Sequence, residues 1–307
     1  MKAIAEAPGK VIISGEHFVV HGATAIAAAI ERKVRVEATR GDRLAIHSRL
    51  RDPKKLLPAR KVVESLYKAH KAEPRVSISI TSNLADGAGL GSSAATMIAI
   101  AAATSALEGW GLDQAALVKA GDSGERLVHG NPSGIDATTS AKGGVILFKR
   151  GEEPRRIELG SPVTMLVAYS GRRRNTGRLI RRVGVMKESY PSLFESLSDS
   201  ASMVSNLCAE ALAKGDSVTL GRLMTYSHAV LARAGASNPR LDQLVDLCLS
   251  SGCLGAKLTG AGGGGSVIAV PPSDKRKAAS IPAKLKERGY DAFFTSIPTT
   301  GARAWTE

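Results

Sequence analysis

The chain has 307 residues, of which 43% are apolar and 23% charged, and its net charge is +14. This composition is typical of a folded protein and excludes a chain that is disordered as a whole. The positive charge would suit a nucleic acid or an anionic small molecule, but aromatic residues make up only 4%, which disfavours a protein that stacks single-stranded bases on aromatic rings.

The sequence shows no pattern typical of a membrane or secreted protein, and its cysteines are few. No apolar run reaches the roughly 20 residues of a membrane span, and the first residues lack the apolar region of a secretory signal peptide, so we expect a cytoplasmic protein without membrane contacts. The three cysteines, Cys208, Cys248 and Cys253, form no C-x-x-C pair. We therefore expect them to be buried as small apolar side chains, without zinc or disulfides.

The first half of the chain combines strands and helices. Apolar alternation and helical spacing of apolar residues predict elements in this order: strands at 11–13 and 34–38, a helix at 59–72, a strand at 76–80, helices from 93 and at 113–128, and a strand at 145–148. The turn Gly160-Ser161-Pro162 is expected to separate two domains, 1–160 and 161–307.

The second half is richer in helices. Its predicted elements are a strand at 165–169, helices at 176–188, 192–213, 216–234 and 239–251, strands at 255–258 and 266–270, a helix at 273–288 and a strand at 292–295. Strands and helices mixed in both halves predict the α+β class.

A loop rich in glycine and serine, GAGLGSSAA at 87–95, lies between a predicted strand and a predicted apolar helix. Gly87, Gly89 and Gly91 allow positive φ and close approach of backbone N–H groups to a ligand. The helix that follows offers unpaired N–H groups and a partial positive charge. Ser92 and Ser93 could cap that helix or bind phosphate and metal. The loop therefore predicts an anion site suited to a triphosphate.

Two acidic residues and one lysine are the candidates for phosphoryl-transfer chemistry. Glu125 lies on a predicted helix and Asp136 follows a Pro-Ser-Gly turn in GERLVHGNPSGID, 124–136. One carboxylate could hold Mg²⁺ with a serine oxygen and phosphate oxygens, and the other could accept a hydroxyl proton. Lys10 enters an apolar strand, which is costly unless a carboxylate pairs with it, and Asp136 is the expected partner.

Two further segments indicate ligand contacts. Glu16 and His17 follow the first predicted strand and could bind hydroxyl or carboxylate groups of a substrate; a metal site is disfavoured because no second histidine stands at ligand spacing. His21 is interpreted as a turn residue. The run GAKLTGAGGGG at 255–265 contains four consecutive glycines, which is expected where backbone passes close to a ligand or another segment.

Together these segments resemble a known family. APGKVIISGEHFVVHG (7–22), GAGLGSSAA (87–95), GERLVHGNPSGID (124–136) and KLTGAGGGG (257–265) are similar, and in the same order, to the motifs of the galacto-, homoserine, mevalonate and phosphomevalonate (GHMP) kinases. Glu16-His17 and the HGNPSGID segment resemble the mevalonate kinases most. Ser266 departs from the pattern, because cysteine is common there.

The resemblance implies a fold of two α+β lobes, an N-terminal lobe like domain 2 of ribosomal protein S5 and a ferredoxin-like C-terminal lobe, with the active site between them. It implies phosphorylation of the 5-hydroxyl of (R)-mevalonate by ATP in isoprenoid biosynthesis, with Mg²⁺, and a possible homodimer. No nucleic acid is implied as a partner.

The resemblance also implies a role for each site residue. Asp136 would be the catalytic base and Lys10 its partner, and Ser93 and Glu125 would hold Mg²⁺. The ATP phosphates would lie against Gly87, Ala88, Gly89, Leu90, Gly91, Ser92 and Ser93. Around the substrate would stand Glu16, His17, Ser133 and Thr176.

Four alternatives stay open at this point. The chain could be a GHMP kinase for phosphomevalonate or a sugar, a related decarboxylase, an inactive ligand-binding homologue, or a basic nucleic-acid-binding protein. A substrate panel separates the enzymes, and binding that weakens steeply with salt would indicate the last.

Overall fold

A computed structural model describes residues 1–48, 53–85, 87–130, 132–172 and 176–307, with the backbone alone at 53–55, 128, 129, 176–178 and 180. The described residues form two sheets flanked by helices. The predicted α+β class with two lobes is confirmed.

The first sheet has seven strands. Their bounds are β1 Lys2–Ser14, β2 Ala25–Arg40, β3 Ala45–His47, β4 Val76–Ser82, β5 Val145–Phe148, β6 Arg155–Ile157 and β11 Arg303–Thr306. The main order is β11-β1-β2-β4-β3, and β5 pairs with β2 and with β6. Only the β3–β4 pair is parallel among these neighbours. The strands predicted at 11–13 and 34–38 are parts of the much longer β1 and β2.

The second sheet has four strands, all paired antiparallel. They are β7 Thr164–Tyr169, β8 Gly255–Thr259, β9 Ser266–Val270 and β10 Asp291–Ser296, in the order β10-β7-β9-β8. Every residue of β8 and β9 is buried, so the sheet is covered on both faces here, even at its edge strand β8.

The helices cover both sheets. They are α1 Pro53–Ala69, α2 Ser92–Glu108, α3 Gln114–His129, α4 Ile135–Lys142, α5 Thr176–Ser189, α6 Pro191–Lys214, α7 Ser217–Arg233, α8 Pro239–Ser250 and α9 Lys275–Glu287, and a 3₁₀ turn spans Phe18–His21. In the described part of the chain, no helix is both long and apolar enough to cross a membrane.

Helix α2 is the centre of the first lobe. It is rich in alanine and buried along most of its length, and it packs on β1 and β2 and against α1, α3 and α4. A helix that is apolar on all sides is stable only inside a protein, and small side chains allow its neighbours to approach closely. The first turn of α2 is thereby held in a fixed position beside β1.

The last strand returns to the first sheet. β11 pairs with β1 from Ala3↔Thr306 to Glu6↔Arg303, although most of the second half builds the other sheet. The domain boundary at residue 160 stays a prediction. A division there would place β11 in the second domain, away from the sheet in which it pairs.

Candidate active site

A cavity of about 420 Å³ opens between the two lobes. The first lobe contributes residues from β1, the 3₁₀ turn, α3 and α4, and the second lobe contributes residues from α5 and from the glycine run after β8. The polar and charged side chains that line it are Lys10, Glu16, His17, His21, Asp122, Glu125, Ser133 and Asp136.

The structure brings Lys10 and Asp136 together. Lys10 Nζ lies 2.9 Å from Asp136 Oδ1, and the lysine side chain is 1% exposed whereas that of Asp136 is 30% exposed. The buried ammonium is compensated by this carboxylate, and Asp136 keeps access to the cavity. Asp136 lies in the first turn of α4, where the partial positive charge of the helix start also favours a carboxylate.

The glycine-serine loop is held directly against β1. Pairing of β1 with β2 is irregular between Pro8 and Lys10, and the Lys10 N–H donates instead to the carbonyl of Leu90 at 2.8 Å. Gly91 has φ of 74° and lies so close to Lys10 that a Cβ would come within 2.8 Å of the lysine Cγ. The irregularity in the strand therefore allows Lys10 to form a backbone hydrogen bond with the glycine-serine loop.

The start of α2 carries no side-chain cap in the described structure. Gly91 is the N-cap, and no side chain bonds to the N–H groups of the first turn. Of the two roles open to the serines, capping is therefore wrong. Ser93 Oγ donates to Glu125 Oε1, and the first-turn N–H groups are left to a ligand, which is the arrangement that binds phosphates.

Ser93 and Glu125 also form the predicted Mg²⁺ pair. Glu125 is 3% exposed and lines the cavity. Among the described residues, no group of three or more His, Cys, Asp or Glu side chains could hold a metal without further ligands. One hydroxyl and one carboxylate nonetheless fit Mg²⁺, because this ion is commonly bound through one or two protein oxygens plus phosphate oxygens and waters.

The second glycine run packs on the glycine-serine loop. Ser266 Oγ donates to the carbonyl of Ala88 at 2.8 Å, and a Cβ on Gly265 would meet the same oxygen at 3.0 Å. Gly262, with φ of 77°, leaves no room for a side chain because a Cβ would lie 2.1 Å from the carbonyl of Ala236. The backbone of the glycine run thus passes close to other protein segments, which is one of the two expectations from the sequence. Ser266, which differs from the cysteine common in the family, forms the hydrogen bond between the two loops.

Glu16 forms an ion pair that sequence reasoning missed. Its Oε1 accepts from Lys257 Nζ, and the two side chains are 1% and 0% exposed. Burial raises the pKa of the Glu16 carboxyl and lowers the pKa of the Lys257 ammonium, and the attraction between them opposes both shifts. Lys257 stands inside the KLTGAGGGG segment, but a single lysine in a short strand gives no indication of its partner.

The side chain of His17 forms a hydrogen bond between the two lobes. Its Nε2 donates to the carbonyl of Ala261 at 2.8 Å, and burial lowers the pKa of its imidazole, so the neutral ring is favoured. His17 has φ of 64°, a value uncommon for residues other than glycine. His21 is the last residue of the 3₁₀ turn, as interpreted from the sequence, and it also lines the cavity and contacts Lys187 Nζ at 3.2 Å.

The other predicted site residues are placed as follows. Ser133 lines the cavity beside Asp136. Residues 173–175 and the side chain of Thr176 lie outside the described residues, so the role of Thr176 stays a prediction. Asp122 lines the cavity and pairs with Arg126 at 3.0 Å, and it was not singled out from the sequence. The three cysteines are buried, as predicted, and they are free thiols.

Comparisons with known proteins identify the families that the chain resembles. Residues 58–144 match the family model of the GHMP kinases N terminal domain, and residues 208–291 match that of the GHMP kinases C terminal domain. The chain is 36% identical to the mevalonate kinase of Aeropyrum pernix, covering 98% of each chain. It is 34% identical to that of Pyrococcus abyssi, with 98% and 97% covered.

Solved structures give the same result. The crystal structure of L. major mevalonate kinase in complex with R-mevalonate matches with a TM-score of 0.85 at 28% identity, covering 96% of each chain. The Methanococcus jannaschii mevalonate kinase matches with a TM-score of 0.83 at 26% identity, covering 96% of this chain and 98% of that one.

Proposed function

The chain belongs to the mevalonate kinase family of the GHMP kinases, and from this premise we propose that its cleft transfers the γ-phosphate of ATP to the 5-hydroxyl of (R)-mevalonate. The products are 5-phosphomevalonate and ADP. The observation that carries the proposal is the Lys10–Asp136 pair. Its Nζ and Oδ1 atoms lie 2.9 Å apart, and the pair lines the cavity beside the glycine-serine loop.

The proposed chemistry needs one attacking hydroxyl and one pair of charged groups. The 5-oxygen forms a bond to the γ-phosphorus while the bond from that phosphorus to the ADP oxygen breaks. Asp136 orients the hydroxyl and accepts its proton, and Lys10 stabilises the negative charge on the attacking oxygen. A loose transition state needs no strong base, so a carboxylate paired with an ammonium suffices.

The phosphates of ATP are proposed to lie against residues 87–93. Free N–H groups at the start of α2 support this assignment, because a helix N-terminus favours anions. Ser93 and Glu125 would hold Mg²⁺, which when bound neutralises charge on the phosphates. Lys10 then stands between the phosphate loop and Asp136, where the hydroxyl must be placed.

The substrate is proposed to occupy the part of the cavity lined by Glu16, His17 and Ser133. Thr176 is assigned to the same site on the resemblance alone. The choice of mevalonate over other substrates rests on the relatives, which are mevalonate kinases at 32–36% identity. The phosphomevalonate kinase and galactokinase structures that match at 18% identity share the fold only.

An ADP-release assay with purified protein tests the proposal. We expect turnover with ATP and (R)-mevalonate, and none with phosphomevalonate, galactose or homoserine, and ³¹P NMR should show a phosphomonoester on the product. Turnover with another member of the panel in place of mevalonate would contradict the proposal. Carbon dioxide release would indicate the related decarboxylase.

Two properties stay predictions. A cytoplasmic location, expected from the sequence, is one, and fractionation of cells measures it. A homodimer is the other, and light scattering on the purified protein gives its mass directly.

A further inference from the structure

Lys257 is the most deeply buried charged residue outside the reacting pair. It lies in the middle of β8, in the second sheet, with 0% of its side chain exposed. Replacing a buried ion pair with apolar residues of similar size often leaves stability unchanged or raises it. Stability therefore gives no reason for a lysine here, and its contacts must be considered for another role.

Three oxygens surround the amine of Lys257. Nζ donates to Glu16 Oε1, to the carbonyl of Ile12 at 3.2 Å and to the carbonyl of Leu258 at 2.6 Å. An ammonium has three N–H donors whereas a neutral amine has two. Three acceptors therefore indicate a protonated lysine and an ionised Glu16, although burial alone disfavours both charges.

Glu16 is left with one oxygen to spare. Its Oε2 is buried and has no hydrogen-bond partner among the described residues, while the residue lines the cavity. An unpaired buried carboxylate oxygen is costly. That cost is removed if a hydroxyl group of a bound molecule donates to Oε2.

The contacts of Lys257 join the two lobes next to Glu16 Oε2. Thr259, in the same strand, accepts from the N–H of Ile12 at 2.8 Å and donates to its carbonyl at 3.1 Å. Strand β8 is thus bonded to β1 at two side chains, of which Lys257 alone reaches Glu16. The orientation of the Glu16 carboxylate depends on a residue of the opposite lobe.

We propose that Lys257 is a positioning residue for the substrate: it holds Glu16 Oε1 from the second lobe so that Oε2 accepts a hydrogen bond from a hydroxyl group of mevalonate. This inference rests on the proposed function and adds Lys257 to it. Lys257 itself is too deeply buried to touch the substrate, so its effect passes through Glu16.

A double-mutant cycle tests the inference. The variants are Lys257→Met, Glu16→Gln and the double variant, with Thr259→Val as a matched control that removes the neighbouring bond to Ile12 and leaves Glu16 paired. Each variant is checked by thermal unfolding, and KM is measured for (R)-mevalonate and for ATP separately.

We expect Lys257→Met to raise the KM for mevalonate about tenfold or more, because a hydrogen bond to a charged group is commonly worth that factor. The KM for ATP should stay within about twofold, and so should the KM for mevalonate in Thr259→Val. In the Glu16→Gln background, adding Lys257→Met should change the KM for mevalonate by less than about twofold, since residues that act through each other are not additive.

The possible results are distinct. A further tenfold rise in the double variant over Glu16→Gln, or an equal rise in both KM values, would overturn the positioning role and leave a structural one. If Lys257→Met does not fold, the comparison of Glu16→Gln with the double variant still decides the question. If the wild-type protein does not phosphorylate mevalonate, the proposed function fails instead.

Discussion

At the scale of single residues, burial separates the roles of the charged groups in the cleft. Lys10 is almost fully buried. If it lost its contact with Asp136, its ammonium would be an unpaired charge in the protein interior, which is energetically costly. Asp136 is one-third exposed on the cavity side. The lysine is thus fixed, and the carboxylate is open to the cavity. A group that accepts a proton from a substrate hydroxyl must be accessible in this way.

The first prediction concerns Asp136. Asp136→Asn keeps the size of the side chain and one acceptor for Lys10 but removes the carboxylate that takes the proton. We expect kcat to fall by about 10²–10⁴, the range commonly lost with a general base, while calorimetry shows unchanged ATP binding. Asp113→Asn is the control, because Asp113 caps α3 and asparagine caps equally well. Turnover near the wild-type value in Asp136→Asn would contradict the assigned role.

A second prediction concerns the metal pair. Glu125→Gln keeps an acceptor for Ser93 but removes the negative charge that attracts Mg²⁺. The Mg²⁺ concentration that gives half-maximal turnover should rise by about tenfold, taking one charge-assisted contact as the loss. Glu64→Gln, on the exposed face of α1, should leave the metal dependence unchanged. An unaltered Mg²⁺ dependence in Glu125→Gln would remove this residue from the metal site.

At the scale of elements, glycines set the distances between helices and strands. Gly221 of α7 faces the start of β8, and a Cβ there would lie 2.6 Å from the backbone of Leu254. The approach at Gly255 is closer still, since a Cβ on it would lie 1.8 Å from the Gly221 carbonyl oxygen. The helix thus packs on the strand through bare backbone on both sides.

This contact gives a prediction whose sign opposes helix propensity. Alanine is favoured over glycine inside a helix by about 1 kcal/mol, yet overpacking costs about 1–3 kcal/mol. Gly221→Ala should therefore lower the free energy of unfolding. Gly184→Ala, in α5 with no atom within 4 Å of the added Cβ, should raise it. Urea unfolding measures both, and a stabilised Gly221→Ala would show that α7 and β8 can move apart.

Sequence reasoning identified the elements that carry a strong periodic pattern and missed the short ones. The long helices and the apolar strands of the second sheet were predicted close to their observed bounds, except for α1, which was predicted at 59–72 and spans Pro53–Ala69. The strands β3, β6 and β11 have three or four residues each and are largely exposed, so no alternation is long enough to detect. Helix α4 was also missed, because its eight residues are nearly all buried and small.

The site shows the same division. Lys10 and Asp136 could be paired from the sequence, because Lys10 enters an apolar strand and Asp136 follows a recognisable turn, whereas Glu125 lies inside a helix and its role comes from the resemblance. Lys257 could not be paired with Glu16, because their contact joins positions 241 residues apart and depends on how the two sheets meet. Local sequence carries no information on that distance, and only the folded chain supplies it.

At the scale of the whole molecule, the last strand links the two halves of the chain. β11 covers the edge of β1, and the segment before it contacts α4 and the turn between α4 and β5. Gly144 N donates to the carbonyl of Pro298 at 2.8 Å, and Ala302 N donates to that of Ala141 at 3.1 Å. Residues 298–306 therefore complete the first lobe, although most of the second half lies elsewhere.

This topology gives a prediction for the two proposed domains. Residues 1–160 expressed alone should aggregate, because β1 would present an unpaired edge to other chains and the cavity side would lose Lys257 and Thr259. Co-expression with residues 161–307 should restore a soluble complex that phosphorylates mevalonate, since the second fragment supplies β11. A second fragment that ends at residue 297 is the control and should not restore it. A cooperative urea transition for residues 1–160 alone would contradict the prediction, because the first lobe would then be stable without its last strand.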